Sequence, residues 1–348
     1  MREPRVALMV ADVDGYGTDC KSVRAANSSE QKCENYELII NNQDKMKIAI
    51  IGPGSMGLLY AAGLAQAADV VLLGNNAKNI EAITREGVTV KRGDESKVKR
   101  IQACLNGTYK ETVDLVILFT KAYLTREALT ANQNIIGEGT VLLTLQNGAG
   151  HESMLMEFVP EERVLVGTTA QGAYRENGHT VVNSGLGDTN VGAISSRFQD
   201  VERYVDVFEK GGFPCHAHEH INQMVWNKLM INASSSVLSG VLGVAQGYVA
   251  TNEYAWGICQ KLIREICKTA CEAGYCFKEE EQVERIYKHL LNAPNGFTSI
   301  YADLKNGRKT EVDVISGAVV REAQRLGIET PTQQLMVEMV HAMEGRGV

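Results

Sequence analysis

The sequence predicts an α/β N-terminal domain with a doubly wound parallel sheet, followed by an all-α C-terminal domain. Three observations predict it: short apolar runs alternating with helical segments from residue 46 onward, a glycine motif between the first strand and the first helix, and long helical periodicity after about residue 220. Near-continuous apolar runs mark strands buried on both faces, as parallel strands covered by helices must be.

Taken in order, Lys47–Ile51 reads as a strand, 56–67 as a helix and 70–73 as a second strand. Runs at 113–119 and 140–145 are further buried strands, with a helix over 124–131 between them. More strands are expected near 164–169, 179–183 and 188–193, closing the same sheet. Beyond them the pattern turns helical over 221–242, 252–275, 279–291 and 310–326, with a last helix from about 331.

Gly52-Pro53-Gly54-Ser55-Met56-Gly57 joins the first strand to the first helix. In that setting each glycine has a mechanical role. Gly52 permits the tight turn, Gly54 lets backbone approach a pyrophosphate, and Gly57 lets the helix lie close to the sheet. The helix N-terminus adds amide donors and a favourable dipole for phosphate. The expected domains are therefore an NAD(P)-binding Rossmann domain over 46–218 and a helical substrate and catalytic domain over 219–348. After the second strand, where NAD sites usually carry an acid for the ribose hydroxyls, stands Gly74-Asn75-Asn76-Ala77-Lys78. A neutral loop with Lys78 nearby favours NADP, with NAD the alternative, although no arginine stands there to hold a phosphate with a two-pronged fork.

Composition narrows the class. With 35 basic and 42 acidic side chains in 348 residues the net charge is −7, which argues against a nucleic-acid partner. No run approaches the roughly 18 apolar residues of a membrane span, and Val6 to Ala11 is too short for a signal-peptide core. A soluble, cytoplasmic protein is expected. Its eight cysteines form no Cys-x-x-Cys pair and read as small buried apolar residues; Cys267 and Cys271 share a helix face. His216, His218 and His220 alternate, yet they sit at the domain junction away from the other motifs, and no metal site is expected.

Two clusters carry chemistry. In Trp226-Asn-Lys228-Leu-Met-Ile-Asn232-Ala-Ser-Ser-Ser236-Val-Leu-Ser239, the residues Lys228, Asn232, Ser235/Ser236 and Ser239 form one polar stripe on an apolar helix. If the apolar faces are packed, the stripe looks into a cleft or solvent, and a partly desolvated Lys228 could act as general acid. The second cluster is Thr298-Ser299, Asp303 and Thr310-Glu311-Val-Asp313. Thr310 with Asp313 reads as a variant capping box, placing Glu311 at the first helical position, where the helix dipole favours it. Val312, Ile315, Val319 and Val320 would be that helix's buried face.

These motifs, with Thr120-Lys121-Ala122, Gln146-Asn147-Gly148 and Thr310-Glu311-Val-Asp313-Val-Ile-Ser-Gly317, occur in an order that resembles the ketopantoate reductase (2-dehydropantoate 2-reductase) family from Met46 to the end. The resemblance implies NADPH-dependent reduction of 2-dehydropantoate to (R)-pantoate, on the route to pantothenate and coenzyme A. It implies Lys228 as general acid, with Glu311 hydrogen-bonding the substrate and supporting Lys228. Asn232, Ser236, Ser299 and Asn147 would hold the substrate. The cofactor would be held by Gly52, Pro53, Gly54, Ser55, Met56, Gly57, Asn75, Lys121, Asn147 and Glu311. Three positions depart from the family pattern: Asn75 replaces a common arginine, Ser236-Val237 an Asn-Pro, and Gln246 an asparagine. Two alternatives stand beside this reading, a D-2-hydroxyacid dehydrogenase of the same family acting on another 2-oxo acid with NAD(H), and a non-catalytic dinucleotide sensor. A sensor needs no proton donor, so Lys228 with Asn232 and Glu311 speaks against it. The long apolar C-terminal helices permit a homodimer without requiring one.

Residues 1–45 show no sustained period of two or 3.6, and the stretch from Gly15 to Ala25 resembles a translated transfer-RNA gene. They are read as a non-native or disordered tail, with Met46 the expected start. Intact-mass measurement of natively expressed protein should find a chain beginning at Met46; a species beginning at Met1 would overturn this.

Overall fold

The computed structural model describes residues 45–198, 200–344 and 346. The reading of 1–45 as a tail lies, Lys45 apart, outside the described residues. β1 (Lys47–Ile51) leads through α1 (Ser55–Leu64) to β2 (Asp69–Gly74) and α2 (Ala77–Glu86). β3 (Val88–Arg92) and β4 (Glu95–Lys99) form a hairpin before β5 (Gln102–Leu105) and β6 (Val113–Leu118). Next come α3 (Thr125–Ala131), β7 (Ile136–Thr144), α4 (Glu152–Leu155), β8 (Val164–Thr169), β9 (Gly172–Arg175) and β10 (Thr180–Gly185). β11 (Thr189–Ala193), α5 (Val201–Lys210) and β12 (Cys215–Ala217) complete the sheet-bearing half.

The main sheet has the order β12-β11-β8-β7-β6-β1-β2-β5. Its pairs are parallel except β8 with β11. β1 sits where the order reverses, with β2 on one side and β6 on the other, and such a switch point opens a crevice at the carboxyl ends of the strands. One expectation fails: the strand near 179–183, β10, does not close this sheet. It joins a second sheet of order β4-β3-β10-β9. Most residues of these strands are half-buried or exposed, a pattern that suits mostly antiparallel pairing rather than a position inside a parallel sheet.

α1 lies between the two sheets, touching β1 and β2 on one side and β3, β9 and β10 on the other. That is why its sequence is apolar all round instead of striped. Leu58 and Leu64 are fully buried there, each contributing about 1.5–3 kcal/mol. Tyr60 stacks on Phe119 at 4.9 Å and Phe213 at 4.1 Å. Its hydroxyl donates to Thr169 Oγ1 at 2.7 Å and shares a hydrogen bond with Thr189 Oγ1 at 2.6 Å. Burial pushes this phenol up to about 12.

From Ile221 the chain is helical: α6 (Ile221–Ile231), α7 (Val237–Leu242), α8 (Gln246–Thr251), α9 (Glu253–Glu272), α10 (Glu279–Asn292), α11 (Ser299–Lys305), α12 (Ser316–Arg325) and α13 (Pro331–Glu344). The expected helix over 221–242 is interrupted by a π-helical turn, Asn232–Ser236, joining α6 to α7. Ser234 and Ser235 donate back to the carbonyls of Met230 (2.5 Å) and Ile231 (3.3 Å), and Gln333 Nε2 reaches the Ala233 carbonyl at 2.9 Å. The serines are thus occupied by the helix itself, and the polar stripe does not continue into a cleft: Ser235 and Ser239 are fully buried.

The helix expected over 310–326 starts only at Ser316, after a 3₁₀ turn at Val312–Val314. The capping box does not form, because the Thr310 amide it would satisfy donates to Glu344 Oε1 at 2.6 Å instead. Glu311 therefore does not occupy the first position of a helix. Val312, Ile315, Val319 and Val320 are buried as expected. Cys215, Cys259 and Cys267 are buried, but Cys271 and Cys276 are exposed; the Cys271 thiol donates to the Phe277 carbonyl at 3.1 Å.

Tyr60→Phe keeps the ring stack and leaves the two buried threonine hydroxyls without their phenol partner. It should lower stability by about 1 kcal/mol, read as a lower urea midpoint at unchanged slope; an unchanged midpoint would show the hydroxyl contacts to be neutral.

Candidate active site

A cavity of about 620 Å³ opens at the carboxyl ends of β1, β2, β6 and β7. The glycine loop forms its floor. Gly52 has φ +109°, and a Cβ there would meet Thr120 N at 2.6 Å, so only glycine makes this turn. A Cβ on Gly54 would meet nothing within 4 Å, leaving backbone open to a ligand, whereas one on Gly57 would strike the Gly52 carbonyl. Gly54 caps α1 with no side-chain hydrogen bond, so the first amides of the helix keep their donors for an anion.

The opposite wall comes from the loops after β6 and β7. Gln146 is buried and braces them: its Nε2 donates to the Thr120 carbonyl at 2.7 Å and to Thr125 Oγ1 at 2.8 Å, and its Oε1 accepts from Thr144 at 3.0 Å. Gly148, at φ +98°, lies against the Val314 backbone, and the next amide, Ala149, donates to the Val314 carbonyl at 2.9 Å. Asn147, just before Gly148, lines the cavity. Its carbonyl accepts from His151 Nε2 at 2.9 Å, and burial pushes that imidazole below its ordinary value.

The helical half supplies the charged groups. Lys228 on α6 donates from Nζ to the Thr169 carbonyl at 2.9 Å. Burial pushes this ammonium down to about 8, while Glu311 pulls the other way. Glu311 Oε1 accepts from the Ala122 amide at 3.1 Å, at the start of the 3₁₀ turn Ala122–Leu124, and Oε2 lies 3.4 Å from Lys121 Nζ. Glu311 thus caps a turn from the sheet-bearing half, not its own helix. Lys121 pairs more closely with buried Asp303, at 2.6 Å, which also accepts from Arg308 at 3.0 Å. Burial disfavours the Lys121 charge, yet Glu311 and Asp303 together outweigh it and hold the ammonium above its ordinary value.

Of the residues expected from sequence, Gly52, Pro53, Gly54, Ser55, Met56, Asn75, Lys121, Asn147, Lys228, Ser299 and Glu311 line this one cavity. Gly57 stands behind the loop. Asn232 and Ser236 lie outside the lining; Asn232 is one turn beyond Lys228, and Ser236 is buried at the end of the π turn. Lys78 is exposed on α2 and also outside the lining. His218 Nε2 lies 2.6 Å from Asn190 Oδ1 and His216 lies 3.6 Å from Asp188, and neither histidine lines the cavity.

Sequence reasoning missed Asn106, Thr169, Gln171, Ala173 and Arg175, all of which line the cavity. Asn106 Oδ1 and Gln171 Oε1 are buried acceptors without a hydrogen-bond partner, as groups that await a ligand are. The available signal was position: polar residues at the carboxyl end of a parallel strand, Thr168-Thr169, and in the segment after it.

The sequence matches the family model described as "Ketopantoate reductase PanE/ApbA" over residues 48–196 and its C-terminal counterpart, "Ketopantoate reductase PanE/ApbA C terminal", over 220–344. A 2-dehydropantoate 2-reductase from Streptococcus pyogenes serotype M6 is 30% identical over 302 residues, covering 86% of this chain and 98% of that protein. One from Pyrococcus horikoshii is 30% identical over 304 residues, covering 87% and 99%. A ternary structure of D-mandelate dehydrogenase with NADH and anilino(oxo)acetate superposes with a TM-score of 0.82 at 27% identity, covering 86% of this chain and 98% of that one.

Because Glu311 is the group that raises the Lys228 ammonium against burial, Glu311→Gln should move it further below about 8. Competitive acetylation of Lys228 across a pH series, read by peptide mass spectrometry, measures this. A midpoint that stays in place or rises would mean the carboxylate does not act on Lys228.

Proposed function

The chain belongs to the ketopantoate reductase family, whose members are NAD(P)-dependent oxidoreductases, and we propose on that premise that it reduces 2-dehydropantoate to (R)-pantoate with NADPH. Lys228 is the general acid. The observation that carries the reading is a lysine desolvated to about 8 that lines the same cavity as a phosphate-ready glycine loop.

The residues present suit a nicotinamide dinucleotide. Gly54 leaves backbone open where a pyrophosphate would lie, the α1 amides keep their donors, and Asn106 and Gln171 offer unpartnered acceptors. Gly52 to Gly57, Asn75, Lys121, Asn147 and Glu311 would hold it, within residues 46–218 apart from Glu311. No carboxylate stands at the end of β2, where Gly74, Asn75, Asn76 and Asn79 are neutral, so nothing there repels a 2′-phosphate. When bound, that cofactor supplies the hydride.

The chain's own side chains manage the proton and the substrate. As the substrate carbonyl carbon gains a hydride, negative charge builds on its oxygen, and the Lys228 ammonium stabilises that charge and transfers its proton to give the hydroxyl. Solvent then reprotonates the amine. Glu311 keeps Lys228 charged, and Ser299 and Asn147, which line the same cavity, hydrogen-bond the carboxylate and hydroxyl of the substrate. Asn232 and Ser236, expected from sequence to hold the substrate, lie outside this lining and are given no contact with it.

A second reading is a D-2-hydroxyacid dehydrogenase acting on another 2-oxo acid with NAD(H). The likeness to D-mandelate dehydrogenase with NADH favours it, as does Asn75 in place of arginine. Initial rates with 2-dehydropantoate and with phenylglyoxylate, each with NADPH and NADH, separate the two. The first reading expects the highest kcat/KM for 2-dehydropantoate with NADPH; a preference for the aromatic acid with NADH would replace it.

Lys228→Ala should lower kcat/KM for reduction by about 10²–10⁴-fold, and survival of activity within a few-fold would remove Lys228 from the acid role. The proton donor must be charged for reduction, so kcat/KM should be level below about pH 8 and fall tenfold per unit above it. Oxidation of the 2-hydroxy acid needs the neutral amine and should rise through the same pH. A reductive profile flat to about pH 10 would contradict the assignment.

A further inference from the structure

We propose that Arg175, on β9 of the second sheet, is a phosphate-binding residue for the dinucleotide, providing the cation that the loop after β2 does not. The proposal rests on the cofactor reading above. Three groups lining the cavity are cationic: Lys121, Lys228 and Arg175. Lys121 is neutralised by Asp303 at 2.6 Å and Glu311 at 3.4 Å, and Lys228 is committed to the Thr169 carbonyl. Arg175 engages no carboxylate among the described residues; its neighbour Glu176 is taken by Lys91 at 2.6 Å.

Its position suits a phosphate contact. Arg175 Nη1 donates to the Pro53 carbonyl at 3.1 Å, which seats the guanidinium on the glycine loop itself. One of five N–H donors is used there, leaving a face of the fork for oxygen ligands. Pro53 in turn lies against Gly74, where a Cβ would meet its ring at 2.5 Å. Arg175 therefore stands above the stretch between the α1 N-terminus and the ribose end of the cleft at Asn75. The segment that carries it begins at Thr169, the residue holding Lys228. Six residues of near-extended chain reach about 20 Å, so this segment runs beside the cleft from the proton donor to the phosphate loop.

Two phosphate-bearing parts of a bound dinucleotide would fall within that region, the pyrophosphate shared by NADH and NADPH and the 2′-phosphate of NADPH alone. A guanidinium–phosphate contact is a charge-assisted bond, and its loss should raise Kd about ten- to a hundredfold.

The test is titration calorimetry of NADPH and of NADH into the full chain, wild type and Arg175→Ala, with Arg175→Lys as a variant that keeps the charge and loses the fork. Far-UV circular dichroism checks that each variant is folded. A rise in Kd for both dinucleotides supports the proposal with the pyrophosphate as the ligand; a rise for NADPH alone supports it with the 2′-phosphate. In either case Arg175→Lys should fall between alanine and wild type. Unchanged Kd values in folded Arg175→Ala overturn it while leaving the cofactor reading intact. A wild-type chain that binds neither dinucleotide overturns that reading, and this proposal with it.

Discussion

The hydrogen bond from the Lys228 ammonium to the Thr169 carbonyl is the constraint around which the site is arranged. It places a cation where burial has lowered its proton affinity from 10.5 to about 8, a difference worth ~3 kcal/mol. Such a group is tolerable only if its surroundings are fixed, and Thr169 is fixed from two sides. Its hydroxyl accepts from Tyr60 of α1, the helix whose N-terminus meets the cavity, and from the Gln171 amide at 3.0 Å. The α1 helix behind the glycine loop and the Lys228 ammonium are thereby both held by one residue at the end of β8.

A second set of contacts joins the sheet-bearing and helical elements at the cavity. Glu311 caps the turn that begins at Ala122, and Val314 receives the loop at Gly148 and Ala149. Lys121 is held between Glu311 and Asp303. Each contact is buried or half-buried, so removing one partner would leave a charge or an amide without compensation. Glu311 therefore serves two ends at once: it closes the cleft wall and favours the charged form of Lys228.

The π turn after Lys228 shows how a polar run can be structural. Ser234 and Ser235 bond carbonyls within the helix, and Gln333 reaches the Ala233 carbonyl from α13. π turns are often found beside functional sites, where one extra residue re-aims the side chains beyond it. Here it separates Lys228 and Asn232 from the serines that a regular helix would have aligned with them.

Much of the fold was legible in the sequence, since burial writes itself locally. A strand covered on both faces must be apolar throughout, as Lys47–Ile51 and 113–119 nearly are, and a turn at φ +109° must be glycine, as Gly52 is. Lys228 stood out on an otherwise apolar helix, and Glu311 in a polar cluster with Thr310 and Asp313. Tertiary structure alone decided the features that depend on distant segments meeting. The capping box at Thr310 lost its amide to Glu344, thirty-four residues away, and β10 paired with β3 across more than eighty residues of chain. Arg175 reaches Pro53 from 122 residues further on. Local pattern records whether a residue is buried and in what period, but not which remote partner it meets, and it is those partners that set hydrogen bonds, ion pairs and the reach of a side chain into the cleft.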